Sequence, residues 1–299
     1  MPEQDLTAGL GAQTVVDLPA GPVRVYRRGA GPTIVFVHGM SVNAAAWRRV
    51  VPALADEFDC VTADWPFGAH QMPMSPDADL SAPGIADIIA STIERLGLSD
   101  VTLVGNDGGG LLTQVMVTRH PHRIGRVVLT NCDAYENFPP PEFDYLCRVA
   151  RLPVSPRLAS AALRPAFVGR LFGRWCRGFG GLHRHPVPDA VIDHHLRGLR
   201  ESPEVFRDFV KFLRSVDAEH AITAARGFGD VHQPVLVAWA PGDRFFPEHH
   251  AHRLAADFPD ARLEFIDDSN TWVAEDNPDR VIELIRGFVD GGRSPSVSR

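Results

Sequence analysis

Short apolar runs alternate with amphipathic stretches along most of this chain, and nearly every run ends in a cluster of Gly, Asp, Asn or Pro. Thr33 to Val37 reads TIVFV, a β-branched run of the kind that is buried on both faces of a parallel sheet. Comparable runs at Cys60 to Ala63, Val101 to Val104, Val127 to Leu129, Val235 to Trp239 and Leu263 to Ile266 predict further strands, with an early one at Val23 to Arg27. Between them, helical spacing of apolar residues predicts helices at about Ala46 to Phe58, at Pro83 to Leu96, from Gly108 to about His120, and at Pro278 to Val289. This βαβα succession predicts an α/β fold with a mostly parallel sheet covered by helices on both sides.

The pattern changes between about Tyr135 and Ala225, where helical periodicity is interrupted by Pro and Gly and no strand is convincing. Ser202-Pro203-Glu204 marks a helix start there. An all-helical insertion between sheet strands reads as a lid. The resulting division is a core at 1–133 and 226–290 with a helical cap at 134–225. Residues 1 to about 12, and the tail 291–299, lack apolar periodicity and read as loose ends.

Composition narrows the class. The 299 residues, 44% of them hydrophobic, suffice for one large α/β domain with an insertion. A formal net charge of -7 argues against a general phosphate-binding surface, and so against a nucleic-acid partner. The four cysteines show neither CxxC spacing nor the density of a disulfide scaffold, which suits reduced, packed thiols. No segment approaches the roughly 18 apolar residues of a membrane span, and the N-terminal residues show no basic region followed by an apolar stretch. These features predict a cytoplasmic protein with a small-molecule substrate and no membrane partner, as a monomer or homodimer. The 13 histidines include no HExxH motif, so neither a metal nor another cofactor is implied.

The chemistry concentrates at strand ends. After Val101 to Val104 comes Gly105-Asn106-Asp107-Gly108-Gly109, then an amphipathic helix. In such a strand-turn-helix elbow the central residue is strained and its side chain is pushed into a pocket. A carboxylate there is anionic at neutral pH without a general base and can attack carbon.

His38-Gly39-Met40, this elbow, Pro241-Gly242-Asp243 and the polar loop at Asp267 to Asn270 follow successive strands. In that order they resemble the α/β-hydrolase superfamily over roughly Val15 to Val289. An Asp at the elbow is similar to the branch of haloalkane and haloacetate dehalogenases and soluble epoxide hydrolases, in which the Asp forms an alkyl-enzyme ester. The resemblance implies Asp107 as nucleophile and the Met40 and Gly108 amides as an oxyanion hole. It implies Asp243 as the acid that orients a histidine, with Asp133 near the alternative acid position, and His38 as part of the His-Gly turn.

The pattern departs from that branch where its histidine belongs. Asn270 is taken to occupy that position, and no histidine follows His252. An amide cannot accept a proton from water near neutral pH, and loss of such a base costs on the order of 100- to 10,000-fold. His70, in the loop after the strand ending at Asp64, is the candidate for a relocated acid or base. Gly108 has no side chain where dehalogenases of the branch place a halide-binding Trp. The lid tyrosines that protonate an opening epoxide are represented by Tyr145 alone, with Tyr135 at the lid's entrance. Trp65, Phe138, Phe143, Trp175 and Phe179 are candidates for an apolar pocket. His38, Asp133, Tyr145 and Trp272 complete the expected substrate contacts.

The function that follows is a hydrolase-like enzyme using Asp107 on a small apolar electrophile: an epoxide, haloalkane or ester. Two alternatives stand beside it. Asp107 can serve as general base in a lyase, isomerase or cyclase, or the fold can be a non-catalytic ligand-binding protein.

Overall fold

The computed structural model describes residues 5–153, 155–176 and 178–291. Among the described residues eight strands form one sheet: β1 (Ala12–Leu18), β2 (Gly21–Arg28), β3 (Thr33–Val37), β4 (Asp59–Ala63), β5 (Val101–Asp107), β6 (Ile124–Cys132), β7 (Val235–Trp239) and β8 (Ala261–Phe265). Their spatial order is β1-β2-β4-β3-β5-β6-β7-β8. The β1–β2 and β2–β4 pairings are antiparallel, and every other pairing is parallel.

The apolar runs follow from burial on both faces. In β3, Val35 and Val37 join the apolar core on one side of the sheet, while Ile34 and Phe36 join the core on the other. The first core includes Ile85, Leu111 and Leu129; the second includes Trp47, Leu236 and Ile285. Helices therefore cover both faces, as the βαβα succession predicted.

Several boundaries differ from the sequence pattern. Residues 8–12 are not part of a loose end: a 3-10 turn at Ala8–Leu10 buries Leu10, and β1, from Ala12, pairs with β2 along its whole length. The helix expected at Ala46 to Phe58 is instead a 3-10 turn, Ala44–Trp47, and a single helical turn, Val51–Leu54, that begins around Pro52. The expected tail at 291–299 lies, apart from Gly291, outside the described residues.

Between β6 and β7 the regular elements are all helical among the described residues. Ser202 accepts a hydrogen bond from the Val205 amide and so caps the helix Pro203–Ser215, at the start its Ser-Pro-Glu sequence predicted. No helix of the described residues is long and apolar enough to cross a membrane.

Candidate active site

Strands β5, β6 and β7 deliver the charged residues. Asp107 ends β5 and starts the helix Gly108–Arg119 with φ 56° and ψ -133°, a strained conformation for a residue with a side chain. Two glycines make the turn possible. A Cβ on Gly109 would collide with the Val37 and His38 carbonyls, so this glycine lets the helix pack against the end of β3. A Cβ on Gly39 would run into the Asp107 carboxylate, which leaves room for that side chain only while residue 39 is glycine.

Asp107 lies on the wall of a largely apolar cavity. Its apolar lining includes Phe138, Phe143, Phe172, Phe179, Phe212 and Leu213, and its polar side chains among the described residues are Ser41, Asp107, Asp133 and Cys147. Burial raises the Asp107 carboxyl to about 7; the amides of Gly108 and Met40 act against this, and the Asp243 carboxylate reinforces it. The two amides named from the sequence thus both act on the Asp107 carboxylate.

Asp133 follows directly after Cys132, which pairs with Asp107 in the parallel register of β5 and β6. Its backbone carbonyl accepts a hydrogen bond from Gln114 Nε2 at 2.8 Å, fixing the strand end against the helix. Its Oδ1 is buried with no hydrogen-bond partner. The space a Cβ would take on Gly108 is bordered by the Met40 nitrogen at 3.6 Å and by Asp133 Oδ2 at 3.8 Å. Burial pushes the Asp133 carboxyl well above the usual range, and the Asp107 charge adds to this.

Asp243 is the acid after β7, and its carboxylate is well satisfied. Oδ1 accepts from the Phe245 and Phe246 amides at 2.8 and 3.3 Å, and Oδ2 from Asn131 Nδ2 at 3.0 Å and Thr271 Oγ1 at 2.7 Å. Burial still raises it to about 6. The contact with Thr271 puts a hydroxyl against Asp243 in the loop where Asn270 was expected to stand. Among the described residues no hydrogen bond joins Asn270 to Asp243; the Asn270 backbone N–H donates to Asp276 Oδ2 at 3.0 Å. Thr271 is the fully buried residue at that place, and its carbonyl is tied to the elbow by Asn106 Nδ2 at 2.7 Å. No histidine is among the described lining residues.

Other candidates lie away from the cavity, although His38 keeps its expected place in the His-Gly turn. His70 is not a wall of the cavity: it is buried, with Nε2 3.3 Å from Asp208 Oδ2, joining the loop after β4 to the helix Pro203–Ser215. His38 is also buried away from it. Its Nδ1 donates to the Gly39 carbonyl, its Nε2 accepts from the Trp65 amide, and burial drives its pKa down to about 3, so the ring is neutral. The Trp65 indole donates to the Phe36 carbonyl from within the core. Tyr145 stacks edge-on with Trp175 at 5.4 Å, and its neighbours Leu146 and Cys147 line the cavity instead. Trp272 packs against Phe179 and His195 and borders a separate small cavity with Asn106. Of the aromatic candidates, Phe138, Phe143 and Phe179 do line the Asp107 cavity.

Residues 32–278 match the family model described as the alpha/beta hydrolase fold. The chain belongs to the α/β-hydrolase fold family. This hydrolase-fold chain is 27% identical over 285 residues to an uncharacterized protein of Mycobacterium tuberculosis, covering 90% of this chain and 80% of that one. It is also 27% identical over 276 residues to Haloalkane dehalogenase 2 of the same organism, covering 90% and 92%. Among solved structures it is similar to an α/β-hydrolase fold protein from Burkholderia ambifaria, with a TM-score of 0.75, 20% identity, and coverage of 91% and 96%.

Proposed function

We propose that this α/β-hydrolase is an enzyme in which Asp107 attacks an electrophilic carbon of a small apolar substrate, forming an ester on its own carboxylate. The observation that carries this reading is the placement of the Asp107 carboxylate, on a strained elbow, beside the Met40 and Gly108 amides, at the wall of an apolar cavity. Once the carboxylate is esterified, its carbonyl oxygen can use those amides, which stabilise the oxyanion formed when water attacks. Similarity to a protein named as a haloalkane dehalogenase supports carbon electrophiles as the substrate class.

The helices between β6 and β7 act as the cap. They supply most of the apolar wall, and a second apolar cavity within them shares Ser41, Leu146, Phe172 and Leu213 with the first, which gives room for an alkyl extension. Asp243 is a held charge in this scheme. Bonded to a hydroxyl, it orients no base, but it contributes to raising Asp107.

The test is intact-protein mass after incubation with a panel of epoxides, haloalkanes and activated esters, with product assayed in the same samples. An adduct that maps to Asp107 supports the reading. A second reading, with Asp107 as a general base in an isomerisation or cyclisation, draws on the same raised carboxyl, because a carboxylate with higher affinity for protons is a better base. Product that never passes through an adduct selects it.

A further inference from the structure

The cavity holds a second carboxyl group that the Asp107 reaction leaves unexplained. Asp133 directly follows the residue paired with Asp107 in the sheet, lines the same cavity, and leaves Oδ1 buried without a partner. Among the described residues neither carboxyl forms an ion pair, so no cation is there to hold both as anions. Two carboxyls in one desolvated site resist double ionisation, and the pair retains a proton. Of the remaining polar side chains on the wall, the Ser41 hydroxyl is a far weaker acid, and burial pushes the Cys147 thiol up. The same wall offers no tyrosine hydroxyl and no indole N–H among the described residues. The cavity therefore holds one strong proton donor and lacks an indole to hold a departing halide.

We infer that Asp133 is a catalytic acid and base in place of the absent histidine, and that the substrate is a strained cyclic ether, an epoxide, whose oxygen must gain a proton as the ring opens. This inference rests on Asp107 as the nucleophile. In the first step an Asp107 oxygen forms a bond to a ring carbon while that carbon's bond to the ring oxygen breaks. The released oxygen takes the Asp133 proton. The products are a hydroxyalkyl ester on Asp107 and an Asp133 carboxylate.

In the second step water attacks the ester carbonyl carbon and gives a proton to Asp133. The tetrahedral centre then expels the diol oxygen, which takes that proton back. Asp107 is left as a carboxylic acid, and its proton passes to Asp133. The sum is epoxide plus water to diol, with one negative charge on the pair before and after. Asp133 is thereby acid and base in turn, as a single carboxyl is in retaining glycoside hydrolysis.

The experiment compares wild type with Asp133→Asn using hexene oxide and hexyl iodide, reading the rate at which each alkylates Asp107 and the rate of ester release by intact mass. The iodide needs no proton to depart. In Asp133→Asn the epoxide should alkylate Asp107 on the order of 100-fold more slowly, the iodide at the wild-type rate, and the ester left by the iodide should persist. Epoxide alkylation at an unchanged rate in this variant overturns the inference and leaves Asp107 standing. An equal fall for both electrophiles, with an unchanged thermal melt, likewise assigns Asp133 to positioning alone and overturns it. Diol formed by wild type with no alkylation of Asp107 overturns the underlying reading instead, and the inference with it.

A measurement on wild type alone guards against a variant that does not fold. The alkylation rate for hexene oxide should fall at high pH as Asp133 loses its proton, whereas that for hexyl iodide should not. Parallel profiles overturn the inference.

Discussion

Thr271 Oγ1 donates a hydrogen bond to Asp243 Oδ2 at 2.7 Å, so the acid at the end of β7 is satisfied by a hydroxyl with no capacity to act as a base near neutral pH. Both groups are buried. Thr271→Val removes one of four donors to Asp243 while keeping the side-chain shape. It should destabilise the fold by about 1–3 kcal/mol, because a buried acceptor loses a partner. Urea unfolding at neutral pH measures this.

The same contact locates where a histidine would have to stand. In the Asp133→Asn background, where an ester on Asp107 should persist, Thr271→His is expected to accelerate its release by on the order of 100-fold, the value of a placed general base. Asn270→His should not, since it is Thr271 and not Asn270 that hydrogen-bonds to Asp243. Ester decay followed by intact mass distinguishes the two variants.

The raised Asp107 carboxyl carries a stability signature. Its folded-state value of about 7 lies above the ordinary 3.8, so the stability present below the ordinary value is lost as pH rises through about 7. Asp107→Asn cannot ionise and avoids that loss. It should be more stable than wild type by on the order of 2–4 kcal/mol at about pH 8, and indistinguishable at about pH 3. Thermal melts at the two pH values measure the difference, and equal melts at both would remove the burial cost from the account.

His70 should behave as part of the joint between core and cap rather than as a base. Asp208 also accepts from the Met74 amide at 2.8 Å and from Arg207, so His70→Ala leaves it partly satisfied. A loss of about 1 kcal/mol is expected, with alkylation of Asp107 retained. Abolished alkylation in a variant that still melts cooperatively would restore His70 to the chemistry.

What the sequence makes legible follows from burial. β5 and β7 are buried at every position, so their apolar runs mark them without knowledge of the fold. The edge strand β1 has four exposed residues before its one buried valine, and an exposed edge carries no such pattern. In the site, Asp107, Met40 and Gly108 are fixed by turns whose glycines are visible in the chain. Thr271 is not, because its role depends on how a loop packs against Asp243, a residue 28 positions away. For Trp65 and Trp272, side-chain type does not tell which of two neighbouring spaces a ring fills.

A single turnover of hexene oxide by wild type in heavy-oxygen water separates attack by Asp107 from direct attack by water. If Asp107 is the nucleophile, water breaks the ester at its carbonyl, and the heavy oxygen appears in the Asp107 carboxyl while the diol of that first turnover stays unlabelled. Heavy oxygen in the first-turnover diol, with none in Asp107, would show that water attacks the substrate itself and would contradict the account.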